Sequence, residues 1–170
     1  SGTWQSACIA AEGFPGRVYV VDSANATIGQ RILVERAEEL AAQGLDAAAV
    51  ADKLDTEKKD IRLVALLDTL EYLKRGGRIS PSIAMVGGLL SIKPVVAVEN
   101  GEVVLLGKAR GSKNGNNLLI QMIQKTSGVD FDRPYRLGYT GLDDGLLRKY
   151  ITDSAQLWQG HAAELPVSTV

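Results

Sequence analysis

The feature that most constrains this chain is Asn100-Gly101, set between Glu99 and Glu102 in the run "KPVVAVENGEVVLLGKAR" (residues 93–110). Asn-Gly between two apolar runs is the sequence form of a two-residue hairpin turn, because both central residues of that turn take positive φ. The spacing predicts two antiparallel strands flanking residues 100 and 101. It also separates this region from the first third of the chain, where the periodicity is of another kind.

There, "SGTWQSACIAAEG" places Trp4, Ala7, Cys8 and Ala11 at helical spacing, with Gly13 as an end signal. "RVYVVDS" (Arg17 to Ser23) reads as a short buried strand. Ile28, Ile32, Leu33, Ala37, Leu40 and Ala41 then form one helical stripe, closed by Gly44. Helix, strand, helix is an α/β order, in which parallel strands are covered by helices and ligands gather beyond the strands' carboxyl ends. A further helix, "LDAAAVADKLD", takes Asp46 as N-cap, and the charged run Glu57 to Asp60 reads as a linker. The expected organisation is therefore residues 1–60 as part of a parallel α/β domain, and 61–170 as a second α/β domain whose mixed sheet is packed by helices.

In that second part Ile61 to Asp68 reads as a strand, and Asp68 and Glu71 have capping-box-like spacing. Gly76-Gly77 ends the helix they start, and Ser80-Pro81 opens an apolar helix running through Leu90. After the hairpin come a helix with Leu118, Leu119, Met122 and Ile123, a strand in "YRLGYTG", a helix with Leu147, Tyr150, Ile151 and Trp158, and a final strand in "LPVSTV". Both ends fall within expected elements, as in a piece of a longer protein.

Composition narrows the function classes. Nineteen basic residues against twenty acidic leave a net charge of −1, so no global field favours nucleic acid, and electrostatic recognition has to be local. A single cysteine, Cys8, makes no internal disulfide and fits a reducing, cytoplasmic compartment. No apolar run approaches the roughly 20 residues that span a bilayer. One histidine, His161, supports neither a metal cluster nor a catalytic triad, and it reads as a surface residue after a helix. No metal or cofactor is expected.

Four groups of residues carry possible binding chemistry. Ser1-Gly2-Thr3 at a helix N-terminus reads as an ordinary cap or as an anion site of backbone N–H groups and hydroxyls. Asp22 and Ser23 end the first strand, either as a ligand position or as an Asx-type turn. Lys74, Arg75 and Arg78 flank the double glycine, and Lys108, Arg110 and Lys113 form a second cluster; each is either a solvated face or a carboxylate- or phosphate-binding patch. The apolar segment Ile83 to Leu90, with Ala84, Gly87 and Gly88, reads as close helix packing or as a pocket wall. No paired carboxylates and no nucleophile–base arrangement stand out, so a binding protein is expected ahead of an enzyme.

"SGTWQSA", "VYVVDS", "DTLEYLKRGGRIS", "LLSIKPVV" followed by "NGEV", and "GKARGSK" stand in the order and spacing of the DegV family of bacterial fatty-acid-binding proteins, which this chain resembles over most of its length. The resemblance implies a two-domain α/β carrier. It would hold one long-chain fatty acid with its tail buried, fix the carboxylate by polar residues near the domain junction, and have no complete active site of its own. Such a carrier presents the lipid to a separate fatty acid kinase, whose acyl phosphate product feeds phospholipid synthesis, with transient contact to a membrane surface and no nucleic acid partner.

Carried over residue by residue, Ser1 falls on the head-group serine, with Gly2 and Thr3 extending the site. Arg78 and Arg110 match the arginines of the "GGRIS" and "K-x-R" motifs, as head-group or kinase-docking residues. Ile83, Val86, Leu89 and Leu90 become acyl-tail residues. The family has a further segment before "SGT", and after the last strand a "His-x-Gly-Pro-Gly" motif that His161 does not match. Two alternatives from other classes are a small-molecule enzyme or substrate subunit related to dihydroxyacetone kinase, and a protein-interaction module using the basic clusters.

Overall fold

The structure, a computed structural model, describes residues 2–79 and 91–170. They fall into two compact units, Ser1–Ile61 and Arg62–Val170. The apolar helix expected from Ser80 to Leu90 lies outside the described residues, as does Ser1.

The first unit is built on helices. α1 (Gly2–Ala11) carries no charged residue and buries none, leaving Trp4 and Ile9 exposed. The strand expected over Arg17 to Ser23 is not formed. Arg17 ends a turn and residues 18–23 have no regular structure; among the described residues no strand pairs with them, and Val18 and Tyr19 stay exposed. β-branched residues favour extended φ and ψ, yet a strand also needs a neighbour's N–H and C=O groups.

α2 (Thr27–Ala42) buries Leu33 and Leu40 from the predicted stripe, while Ala41 falls at its exposed rim. Gly44, at φ +88°, closes the helix: its N–H donates to the Ala41 carbonyl at 2.9 Å, and Leu45 N–H donates to that of Leu40 at 3.3 Å. α3 (Ala47–Glu57) starts as read, the Asp46 carboxylate accepting from Ala49 N–H at 2.8 Å. Leu33, Leu40 and Leu54 form the core between these helices, with Val21, Ala37, Leu45, Val50 and Ile61 against it. Each buried leucine supplies roughly 1.5–3 kcal/mol.

The run Glu57 to Asp60 is not a free linker. Glu57 takes a two-pronged bond from Arg36, at 2.8 and 3.1 Å, and Lys58–Asp60 forms a 3₁₀ turn. Lys58 Nζ donates to the Asp55 carboxylate at 2.6 Å and to the Asp22 carbonyl at 2.7 Å. Its charges are used in pairs that pin the turn to the helices.

In the second unit β1 (Leu63–Leu66), β2 (Ile92–Glu99) and β3 (Glu102–Arg110) form an antiparallel sheet in that spatial order. Asn100 and Gly101 turn at φ +52° and +80°, pairing Glu99 with Glu102 as the Asn-Gly signal requires. Val95 faces Gly107 and Val96 faces Leu105, so Leu106 is an extra residue and β3 bulges there.

α4 (Glu71–Arg75) lacks the expected Asp68 cap. Thr69 Oγ accepts from Glu71 N–H at 3.1 Å instead, while the Asp68 carboxylate is drawn to the ammonium of Lys93. Gly77 at φ +68° ends this helix, with Arg78 N–H donating to the Leu73 carbonyl at 2.8 Å.

Alternation along the strands gives the sheet two faces. On one, Ala65, Val96, Val103 and Leu105 pack with Leu67, Leu70, Leu73 and Ile79. Against the other lies α5 (Ser112–Lys125), brought close by two glycines: Leu118 sits over Gly107, and Gly115 meets Leu66 and Lys93.

The rest of the unit has its own core. β4 (Leu137–Tyr139) and β5 (Val167–Thr169) pair in parallel as a separate sheet, so antiparallel and parallel pairings are both present. α6 (Gly145–Asp153) contributes Tyr150 to a cluster with Ile120, Leu157 and Trp158. The helix expected to reach Trp158 stops at Asp153 and continues as a 3₁₀ turn, Ala155–Leu157. Buried Ser154 breaks it, its hydroxyl donating to the Tyr150 carbonyl at 2.5 Å and accepting from the Trp158 indole N–H at 3.1 Å.

Candidate lipid-binding site

Strand register decides where the basic residues of the second unit stand. Ile92 pairs with Arg110 and Pro94 with Lys108, on the same side of the sheet as the next pair in step, Val96 and Leu105. An apolar face therefore ends in two exposed cations, with buried Pro94 between them and the core. Ile79 packs on the same face, and Arg78 directly precedes it.

Register places Arg110 on this face, and the packing of Ile79 brings the neighbouring backbone of Arg78 to it, although 32 positions separate the two arginines in sequence. Leu67, Leu70, Leu73 and Ile79 cover the apolar part of this face, so what stays open at its end is the pair of cations, and a guanidinium beside an ammonium suits an anionic head group through charge-assisted hydrogen bonds.

The remaining basic residues divide. Lys93 points to the opposite face, beside Gly115, and holds Asp68. Arg75 pairs with Glu71 one helical turn earlier, and the Arg78 guanidinium donates to the carbonyl of Gly76. Among the described residues Lys108 and Arg110 make no ion pair, which leaves their charges available.

In the first unit Gly2 and Thr3 are exposed at the start of α1, where the leading backbone N–H groups lack intrahelical partners. Asp22 and Ser23 adopt the local-turn alternative. The Asp22 carboxylate accepts from Ala24 N–H at 3.1 Å, and the Ser23 hydroxyl accepts from Asn25 N–H at 3.3 Å. Asn25 returns a side-chain bond to the Ser23 carbonyl at 3.0 Å. The acyl-tail residues Ile83, Val86, Leu89 and Leu90 lie outside the described residues.

His161 is not merely a surface residue after a helix. It starts a 3₁₀ turn, His161–Ala163, and its ring stacks on Phe131 with centroids 4.3 Å apart and planes 16° from parallel, while Tyr135 meets Phe131 edge-on at 5.1 Å. No local pattern links positions 131 and 161. Pro94 on the cationic face was also missed, because the face of each residue there depends on the bulge and on strand register. Among the described residues no three His, Cys, Asp or Glu side chains gather as a metal site, and no helix is long and apolar enough to cross a membrane.

Comparison with known proteins gives the family and the fold. A family model described as the uncharacterised DegV family matches residues 1–139. A DegV domain-containing protein of Caldanaerobacter subterraneus subsp. tengcongensis is 36% identical over 132 residues, covering 77% of this chain and 47% of that protein. A fatty-acid-binding DegV family protein from Thermus thermophilus has a solved structure similar to this one, with 33% identity and a TM-score of 0.72 over 99% of this chain and 58% of its own. The fatty acid kinase (Fak) B3 protein of Streptococcus pneumoniae, solved loaded with linoleic acid, is 26% identical with a TM-score of 0.76, covering 100% of this chain and 60% of its own. The chain spans about half the length of the curated relatives it matches. It has their α/β fold and belongs to the DegV family.

Proposed function

We propose that the protein containing this chain is a fatty-acid carrier, which buries the acyl tail of one long-chain fatty acid, holds its carboxylate by hydrogen bonds and presents it to a fatty acid kinase. The observation that carries the reading is the likeness of nearly the whole chain to the fatty-acid-binding Thermus protein. The exposed pair Lys108 and Arg110 at the end of β3 supports it, because two neighbouring cations match a ligand with one negative head group. A buried carboxylate must be hydrogen-bonded or give up its charge, so such a carrier needs donors where the head group rests.

In this proposal Ser1, Gly2 and Thr3 bind the carboxylate, and Ile83, Val86, Leu89 and Leu90 line the tail. Arg78 and Arg110 serve the head group or receive the kinase. About sixteen carbons at about 0.8 kcal/mol each give a gross drive of roughly 13 kcal/mol, from which the costs of association are subtracted. The likeness to the kinase B3 protein supports a kinase partner, and the carrier then leaves the phosphoryl-transfer chemistry, with an acyl phosphate product for phospholipid synthesis, to that partner.

The test is native mass spectrometry of the full-length parent protein before and after denaturing extraction. The expected result is one added mass per chain that extracts as a fatty acid and survives high salt. A protein that is empty as purified and takes up no added fatty acid refutes the proposal.

A further inference from the structure

Asn-Gly occurs twice in this chain, at Asn100-Gly101 and at Asn114-Gly115, and the structure treats the two pairs in opposite ways. We propose that Asn100 is a site of spontaneous deamidation, and that α5 protects Asn114 from the same reaction. In this chemistry the backbone nitrogen of the following residue attacks the asparagine Cγ. A C–N bond forms and closes a five-membered succinimide, the C–N bond to the side-chain nitrogen breaks, and that nitrogen takes up the displaced proton and leaves as ammonia. Water then opens the ring at either carbonyl, leaving aspartate or isoaspartate. The net exchange is one water in and one ammonia out. Glycine in the following position leaves the attacking nitrogen unshielded by any side chain.

Attack needs a side-chain amide and a backbone N–H that are both free to move. Asn114 has neither. Its Nδ2 donates to the Arg110 carbonyl at 2.9 Å, and Gly115 N–H donates to the Gly111 carbonyl at 3.0 Å. Gly115 is buried, and a Cβ placed on it would lie 3.0 Å from Leu66 Cδ1 and 3.2 Å from Lys93 Cβ, so there is no room to swing. Reaction at Asn114 therefore waits for the start of α5 to unwind from the sheet.

Asn100 and Gly101 are both exposed at the end of a ladder. The φ of +52° at Asn100 belongs to the closed turn, so this turn must also open. Opening it disturbs no pair beyond Glu99 and Glu102, and local openings at a frayed end cost far less than those of a packed helix.

The product alters the element that sets the sheet. A new carboxylate at position 100 joins those of Glu99 and Glu102, which already face each other across the ladder, a repulsive arrangement. Isoaspartate adds a methylene to the main chain of a two-residue loop, whose length fixes the register of β2 against β3. The hairpin is thus the place where this fold ages.

The experiment incubates the purified protein at neutral and mildly alkaline pH, folded and in strong urea. Both Asn-Gly peptides are followed by mass spectrometry, and isoaspartate is detected by enzymatic methylation. In the folded protein Asn100 is expected to convert at least about tenfold faster than Asn114, the factor given by about 1.4 kcal/mol of difference in local opening. In urea the two rates converge. Equal conversion of the two sites in the folded protein, Asn114 ahead of Asn100, or an intact folded Asn100 after the urea sample has converted, each overturns the proposal.

Discussion

Gly115→Ala sets two effects of known size against each other. Replacing a glycine within a helix by alanine stabilises it by about 0.8–1.0 kcal/mol through propensity alone. At this position the new methyl would stand 3.0 and 3.2 Å from the two Leu66 methyl carbons and 3.2 Å from Lys93 Cβ. Leu66 can turn its branch away. Lys93 Cβ cannot, because it is fixed to the backbone of β2, the central strand of its sheet. Relief therefore requires α5 to lift off the sheet, an overpacking cost of about 1–3 kcal/mol. The cost exceeds the gain, and the expected net effect is a loss of about 1 kcal/mol.

The assay is urea unfolding followed by fluorescence of buried Trp158, in a Trp4→Phe background so that the signal reports the second unit. With a slope of about 2 kcal/mol/M, the midpoint falls by about 0.5 M at unchanged slope. Asn117→Ala, at an exposed position of the same helix, controls for propensity and should raise the midpoint slightly. If Gly115→Ala raises stability by its propensity gain, α5 does not depend on close approach at this glycine and the reasoning fails.

Two further perturbations test other parts of the molecule. Arg36→Met removes the two-pronged bond to Glu57 and the 2.9 Å bond to Glu39, the pairs that hold the guanidinium's pKa above its usual value. Because these groups are about a quarter to a half exposed, the expected cost is only about 1 kcal/mol, shrinking as salt is added; an unchanged thermal midpoint at low salt would refute it. Burial pushes the Tyr150 phenol up to about 12, and the nearby Ser154 hydroxyl is engaged elsewhere, by the Tyr150 carbonyl and the Trp158 indole. A folded pKa above the unfolded value of about 10 stabilises the fold below pH 10, and that contribution is lost as pH rises from about 10 to about 12. Tyr150→Phe should remove this slope from a denaturation-versus-pH series while changing stability little at pH 7, since the buried phenol oxygen has no hydrogen-bond partner among the described residues; a slope that persists refutes the assignment.

What could be read from the sequence was what a few adjacent residues decide. Asn100-Gly101 specified its turn because only positive φ closes a two-residue hairpin, and Asp46 specified the start of α3 because its carboxylate reaches an N–H three residues on. The readings that failed depended on partners distant in sequence. Asp68 had the spacing of a cap, but Lys93, 25 positions away, competes for its carboxylate, and the Glu71 N–H donates to the Thr69 hydroxyl. The apolar run at Val18 to Val21 had strand composition without the neighbour that makes a strand.

The same distinction governs the candidate site. Motif matching singled out Arg78 and Arg110 one at a time, and nothing local relates them to a common surface. Tertiary structure does: the pairing of Ile92 with Arg110 and the bulge at Leu106 set the face of Arg110, and the packing of Ile79 with Val96 brings the chain at Arg78 beside it. A one-residue slip between β2 and β3 would turn Lys108 and Arg110 to the side covered by α5. The charge of this face therefore depends on the two-residue turn at Asn100-Gly101, so damage to the turn bears on the placement of these cations as well as on stability.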